Sequence, residues 1–180
     1  MRRVVMVSGA PGAGKSTLAL PLAQALALPL LSKDVIKERL ADVLGQRAEP
    51  EVWTQALGSA SMELIWTLAA LSPAVVLEAN FRPRSAYERR MLTGLGGRLV
   101  EVYCRCPPEE ASRRYSARSV IGGRHAIHTL RDLPAALLAE YEGPVGLGQV
   151  IEVDTTAPVD IAALAVRVRA ALDDESVPGG

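Results

Sequence analysis

The sequence predicts an α/β fold: a five-stranded parallel sheet covered by helices on both faces. Three observations carry this expectation. Five short, mainly apolar runs recur along the chain, a helical stretch lies between each run and the next, and the conspicuous polar motifs fall just after runs rather than inside them. In sheets of this kind ligands bind beyond the carboxyl ends of the strands, so those motifs share one edge.

The elements follow in chain order. Val4–Ser8 is an uncharged apolar run, as a strand buried on both faces should be. A glycine-rich loop follows, then a helix over Ser16–Leu26, in which Pro21 should cause a kink or free a backbone carbonyl. Leu28–Ser32 reads as the second strand, and Val35–Leu44 as a helix ended by Gly45. Glu51–Leu71 is a longer helix. Ala74–Ala79 is the third strand, closed by the turn Asn80-Phe81-Arg82-Pro83, and Ser85–Leu95 is a helix stopped by Gly96-Gly97. Leu99–Cys104 is the fourth strand. Pro107-Pro108-Glu109-Glu110 opens a helix with proline and acids in its first turn, where both are favoured, and that helix runs to about Arg118. Ser119–Thr129 reads as a loop, Asp132–Tyr141 as a helix, Val150–Val153 as the fifth strand, and Pro158–Leu172 as an amphipathic helix. The expected organisation is one domain over residues 1–172 and a flexible tail over 173–180.

Composition excludes several function classes. The 180 residues balance at zero formal charge, so no long-range field favours a polyanion, and Phe81 is the only phenylalanine, which leaves little for base stacking. Nucleic acid is therefore not the expected partner. No apolar run approaches the ~20 residues that span a bilayer, and Met1-Arg2-Arg3 leads straight into a strand rather than a cleavable signal; the expectation is a cytoplasmic protein without a membrane partner. Cys104 and Cys106, one residue apart, read as reduced thiols, because a bridge at that spacing is strained and a metal site needs more ligands. Only three of the twenty basic residues are lysines, and all three, Lys15, Lys33 and Lys37, lie in the glycine-rich loop or at the second strand's end.

That loop carries the sharpest signal. Gly9-Ala10-Pro11-Gly12-Ala13-Gly14-Lys15-Ser16 matches G-x-x-x-x-G-K-[ST] in full, the phosphate loop of nucleoside-triphosphate-binding proteins. Glycines let the backbone curl so that successive N–H groups face phosphate oxygens, and the helix behind adds its positive end. Lys15 would reach the β- and γ-phosphates, the Ser16 hydroxyl would ligate Mg²⁺, and Thr17 would support the α-phosphate. The fold class becomes a three-layer P-loop NTPase fold with a small helical lid. No Asn-Lys-x-Asp string is present to read guanine, Asp42-Val-Leu-Gly45 reads as helix termination rather than a switch motif, and the length suits a small-substrate kinase better than a motor.

Beyond this loop the chain resembles the small P-loop kinases that include chloramphenicol phosphotransferase, the kinase half of polynucleotide kinase and zeta-toxin-type sugar kinases. Ser32-Lys33-Asp34-Val35-Ile36-Lys37-Glu38 is similar to their substrate loop, which implies that Asp34 deprotonates the acceptor hydroxyl and Lys37 holds the substrate; helix capping by Asp34 is the alternative. Val75-Val76-Leu77-Glu78-Ala79-Asn80-Phe81 resembles the second acidic motif and assigns Glu78 to Mg²⁺ opposite Ser16, directly or through water. Asn80, Arg82 and Arg84 would then face the acceptor. Arg113-Arg114-Tyr115-Ser116-Ala117-Arg118 followed by Gly122-Gly123-Arg124-His125 resembles the mobile lid, about residues 114–131, whose arginines Arg114, Arg118 and Arg124 would meet the phosphates. His125 and His128 read as lid contacts or solvated loop residues. Asp154-Thr155-Thr156-Ala157 resembles the adenine-side loop, which places Thr155 at the nucleotide, and the family implies the strand order 2-3-1-4-5. The expectation is an ATP- and Mg²⁺-dependent kinase for a hydroxyl of a small molecule, with a 5′-hydroxyl nucleic-acid kinase and an acceptor-free regulatory ATPase as rivals.

Overall fold

A computed structural model describes residues 1–45, 47–120 and 125–174. The chain runs β1 (Arg3–Ser8), α1 (Lys15–Leu26), β2 (Leu30–Ser32), α2 (Lys33–Leu44), α3 (Pro50–Leu71), β3 (Ala74–Glu78), α4 (Ala86–Leu95), β4 (Arg98–Arg105), α5 (Pro108–Val120), α6 (Ala135–Ala139), β5 (Gln149–Asp154) and α7 (Ile161–Asp173). All five strands are parallel in one sheet of order β2-β3-β1-β4-β5, the order implied by the family resemblance.

The layers follow from the period-two alternation of each strand. Val5 and Val7 of β1, with Val100 and Val102 of β4, pack against Leu18 and Leu22 of α1 and Leu164 and Val168 of α7. Val4 and Met6 turn the other way, with Val75 and Leu77 of β3, onto Ile65, Trp66 and Ala69 of α3 and Leu92 of α4. At the amino edge the Arg2 guanidinium donates to the carbonyls of Ser72 (3.0 Å), Ala70 (2.6 Å) and Leu95, joining the carboxyl ends of α3 and α4. A cation is favoured at such an end, where helical carbonyls lack partners.

Several element ends differ from the sequence reading, each for a local reason. β2 begins at Leu30, not Leu28: Ala27 takes a left-handed turn (φ 55°) and the Leu28 N–H still closes on the Ala23 carbonyl at 3.0 Å. α2 starts at Lys33, two residues early, which puts Asp34 inside the first turn with Ser32 at the cap. α6 keeps only Ala135–Ala139 of its expected span, because Pro134 disfavours the helical conformation at Leu133 just before it. α7 starts at Ile161, where the Asp160 carboxylate accepts the Ala163 N–H at 3.0 Å. Pro21 does not break α1, so the carbonyl one turn before it, that of Thr17, is the group left without a helical donor. Among the described residues no helix is long and apolar enough to cross a membrane.

Candidate functional site

The loop between β1 and α1 is built around backbone that side chains would obstruct. Gly12 sits at φ 84°, and a Cβ there would lie 2.1 Å from the Ala111 carbonyl oxygen, so loop and α5 touch backbone to backbone. Gly14, also at φ 84°, caps α1 without any side-chain acceptor, which leaves the first-turn N–H groups open to an anion. Lys15 is buried and donates to the Ala10 carbonyl at 2.7 Å, its one hydrogen bond among the described residues. Burial pushes its ammonium below the ordinary lysine range, while Glu78, Cys104 and Asp34 pull it back up and Arg118 lowers it further. An ammonium has three donors, so a buried one with two unused fits phosphate oxygens.

Glu78 ends β3 at 3% exposure. Its Oε1 accepts from Ser16 Oγ at 3.1 Å and its Oε2 from Ser32 Oγ at 2.5 Å. The structure thus brings together Ser16 and Glu78, and adds Ser32, which the sequence reading had not singled out. No pattern along the chain marks it, because Ser32 meets Glu78 only through the parallel register of the folded sheet, where it stands directly opposite. Two hydroxyls around a carboxylate form a hard oxygen set of the kind Mg²⁺ takes, so the residues present fit that ion. Among the described residues no group of three His, Cys, Asp or Glu forms a transition-metal cluster.

Along α2, Asp34, Glu38 and Asp42 recur at one-turn spacing. Asp34 is half-buried and, among the described residues, has no hydrogen-bonded or ion-paired partner. Lys37 is buried one turn on. The other two acids are occupied: Glu38 Oε1 lies 2.9 Å from His128 Nε2, and Asp42 Oδ1 lies 3.0 Å from His125 Nε2. The His125 hydrogen bond holds the Asp42 carboxyl below its usual range. Thr54 on α3 donates to the Ile127 carbonyl at 2.5 Å, and Ser116 on α5 donates to Asp132 at 2.7 Å. Residues 125–132 therefore form a strap from α5 across to α2 and α3, and both histidines are contacts rather than solvated loop residues. Gly122, Gly123 and Arg124, the expected hinge and its arginine, lie outside the described residues.

The lid arginines divide. Arg114 pairs with Glu110 at 2.6 Å and donates to the carbonyls of Thr155 (2.9 Å) and Thr156 (3.3 Å). Thr155 is buried and donates to the Ala13 carbonyl at 2.8 Å, tying the loop after β5 to the phosphate loop. Arg118 is exposed, within electrostatic reach of Lys15. On the other flank Asn80 is half-buried after β3, but Arg82 is engaged by Glu140 (2.9 Å) and Glu88 (4.0 Å) and lies over the Tyr141 ring. Beneath the loop, burial pushes the Cys104 thiol up to about 12; Cys104 and Cys106 are both free.

Comparison with known proteins adds three findings. A family model described as an AAA domain matches residues 4–143. Among solved structures, a candidate kinase from Chloroflexus aurantiacus superposes with a TM-score of 0.83 at 29% identity, over 96% of this chain and 99% of that one. The APS kinase of Mycobacterium tuberculosis, solved with AMPPNP and APS, gives 0.62 at 19% identity (96% and 98% covered), and a gluconokinase from Sinorhizobium meliloti 0.57 at 20% (96% and 93%). Among curated proteins none matches. The fold is that of the P-loop kinases.

Proposed function

From the premise that this chain belongs to the AAA-domain family, we propose that it is an ATP-dependent phosphotransferase that moves the γ-phosphate to a hydroxyl of a small molecule. The observation that carries the reading is Asp34. It lies inside the first turn of α2, half-buried and, among the described residues, without a hydrogen bond or ion pair, close enough to Lys15 to act on its charge. A residue that only capped the helix would stand at the position of Ser32. The nucleotide-bound APS kinase and the other kinase neighbours support the same class, and the closer likeness to chloramphenicol phosphotransferase, polynucleotide kinase and zeta-toxin-type kinases belongs to the proposal.

Backbone N–H groups of residues 9–15, all but Pro11, which has none, receive the phosphates, and Lys15 supplies its two unused donors to the β- and γ-oxygens. Thr17 lies at the α-phosphate, with Arg114 and Thr155 on the nucleotide's other side. Ser16 and Glu78 would hold Mg²⁺, which would offset the negative charge of the phosphates. Asp34 takes the proton from the acceptor hydroxyl; the oxygen left attacks the γ-phosphorus as its bond to the β-phosphate oxygen breaks, and ADP departs. Arg118, with Arg124, spreads charge over the transferring group. Lys37 and Asn80 orient the acceptor, and Arg82 serves that site by bracing the turn after β3.

The test is ADP release that requires an added hydroxyl compound. Asp34→Asn should reduce that acceptor-dependent rate by ~10²- to 10⁴-fold while leaving ATP affinity near wild type. Full activity in the variant would remove Asp34 from the chemistry.

A further inference from the structure

Resting on the phosphate-loop part of that reading, we propose that Glu101 is a positioning residue for Lys15, acting through the Ser8 hydroxyl and the Ala10 carbonyl. The middle of β4 is apolar, with Val100, Val102 and Cys104 buried, yet Glu101 sits among them at 0% exposure. Among the described residues it has no ion pair. Three donors hold it instead: Oε1 accepts the Ser8 hydroxyl at 2.5 Å and the Val145 N–H at 2.9 Å, and Oε2 accepts the Gly146 N–H at 2.8 Å. A carboxylate taken out of water without a cation is costly unless such donors surround it, and an aliphatic side chain in its place would carry no such cost. Its contribution lies in what the three bonds join.

Two of them dock residues 145 and 146 onto the sheet, and Tyr103 holds the same loop by accepting the Gly143 N–H at 3.0 Å. The third runs elsewhere. Ser8 is buried, ends β1 and stands opposite Tyr103, so its hydroxyl crosses diagonally to Glu101 on the same face of the sheet. At Ser8 the chain has lost β3, whose last pairing is Glu78 with Val7, and is paired on the β4 side alone. Gly9 then turns the chain out of the sheet at φ 133°, close enough to β4 that a Cβ would lie 2.7 Å from the Cys104 carbonyl oxygen. One residue on, the Ala10 carbonyl accepts the Lys15 ammonium at 2.7 Å. The direction in which the chain leaves Ser8 therefore sets where that carbonyl stands, and the carbonyl sets where the ammonium is held. Without the Glu101 bond Lys15 keeps its charge but loses its aim, and small misplacements at a reacting group weaken what it can do.

Calorimetric titration of the intact protein with ATP and Mg²⁺ tests this without an acceptor. Ser8→Ala leaves Glu101 its two backbone donors, so the variant should fold, and it should bind ATP about tenfold more weakly. In a Lys15→Ala background the same substitution should change Kd by less than about twofold, because the ammonium it would misplace is gone. Glu101→Gln turns an N–H toward its donors and should give a loss to which Ser8→Ala adds nothing; Ser8→Ala carries the test alone if this second variant fails to fold. Tyr103→Phe releases Gly143 without touching Ser8 and should keep wild-type affinity. Wild-type affinity in Ser8→Ala overturns the proposal. So does an equal loss with and without Lys15, a loss that simply adds to that of Glu101→Gln, or a matching loss in Tyr103→Phe, each of which marks general loosening. Wild-type protein that binds no ATP overturns the phosphate-loop reading itself.

Discussion

At the scale of single residues, Lys15 is held in a state that only a ligand completes. Its ammonium is buried, depressed by that burial and bonded to one carbonyl, so a triphosphate supplies acceptors that the fold does not. Lys15→Ala should therefore leave stability intact and weaken ATP binding by about 1.5–3 kcal/mol, roughly ten- to a hundredfold in Kd. Isothermal titration calorimetry reads this directly; unchanged affinity would displace the phosphate site from this loop. Glu78→Gln keeps an acceptor for one of Ser16 and Ser32, turns an N–H toward the other hydroxyl, and removes the charge. Titration of ATP binding against Mg²⁺ should then require more metal, while affinity without metal does not fall. The phosphate loop was legible in the sequence because its motif is local. Ser32 was not, because its role depends on which residue stands opposite it in a neighbouring strand, and no spacing along the chain reveals that.

At the scale of elements, α5 shows how one turn positions a distant loop. Glu110, in its first turn, receives Arg113 at 2.7 Å and Arg114 at 2.6 Å, and these bonds lower its carboxyl from 4.5 to about 2. A depressed carboxyl stabilises the fold fully above its unfolded value and loses that contribution as pH falls through the folded one. The stabilisation from these pairs is thus complete above about pH 4.5 and disappears toward pH 2. Acid unfolding followed by circular dichroism should show a shallower pH dependence in Glu110→Gln than in the wild type, the remaining fall coming from the depressed carboxyls of Asp42 and Asp154. Identical curves would mean the pairs contribute nothing measurable. Apolar periodicity located every strand and every helix, and α1 to α4 close at Leu26, Leu44, Leu71 and Leu95 as expected, but several other ends differ. α2 begins early because Ser32 and Lys33 pass directly from strand to helix, and α6 shrinks because Pro134 decides where it can start. Single residues with special backbone chemistry set such ends, and they are faint in a hydrophobic pattern.

At the scale of the whole molecule, alternation of strands and helices was enough to anticipate a parallel three-layer sheet, whereas its strand order came from family likeness and not from pattern. The strap was the least legible part, since its anchors pair residues 83 and 90 positions apart. It also has a consequence for how the two halves of the site communicate. α5 rests on the phosphate loop through Gly12 and Ala111 and on the loop after β5 through Arg114. The strap leaves α5 through Ser116 and Asp132 and ends on the helix that carries Asp34. A ligand that firms up one end then makes the other easier to order, so the two binding equilibria should be linked. Linkage is reciprocal: if nucleotide tightens the acceptor by some factor, typically ~5- to 150-fold, the acceptor must tighten nucleotide by the same factor. Titrating each ligand with and without a non-hydrolysable form of the other measures that factor twice. Replacing both His125 and His128 by Ala should bring it close to one without abolishing either binding event, and an unchanged factor would mean that the strap carries no signal.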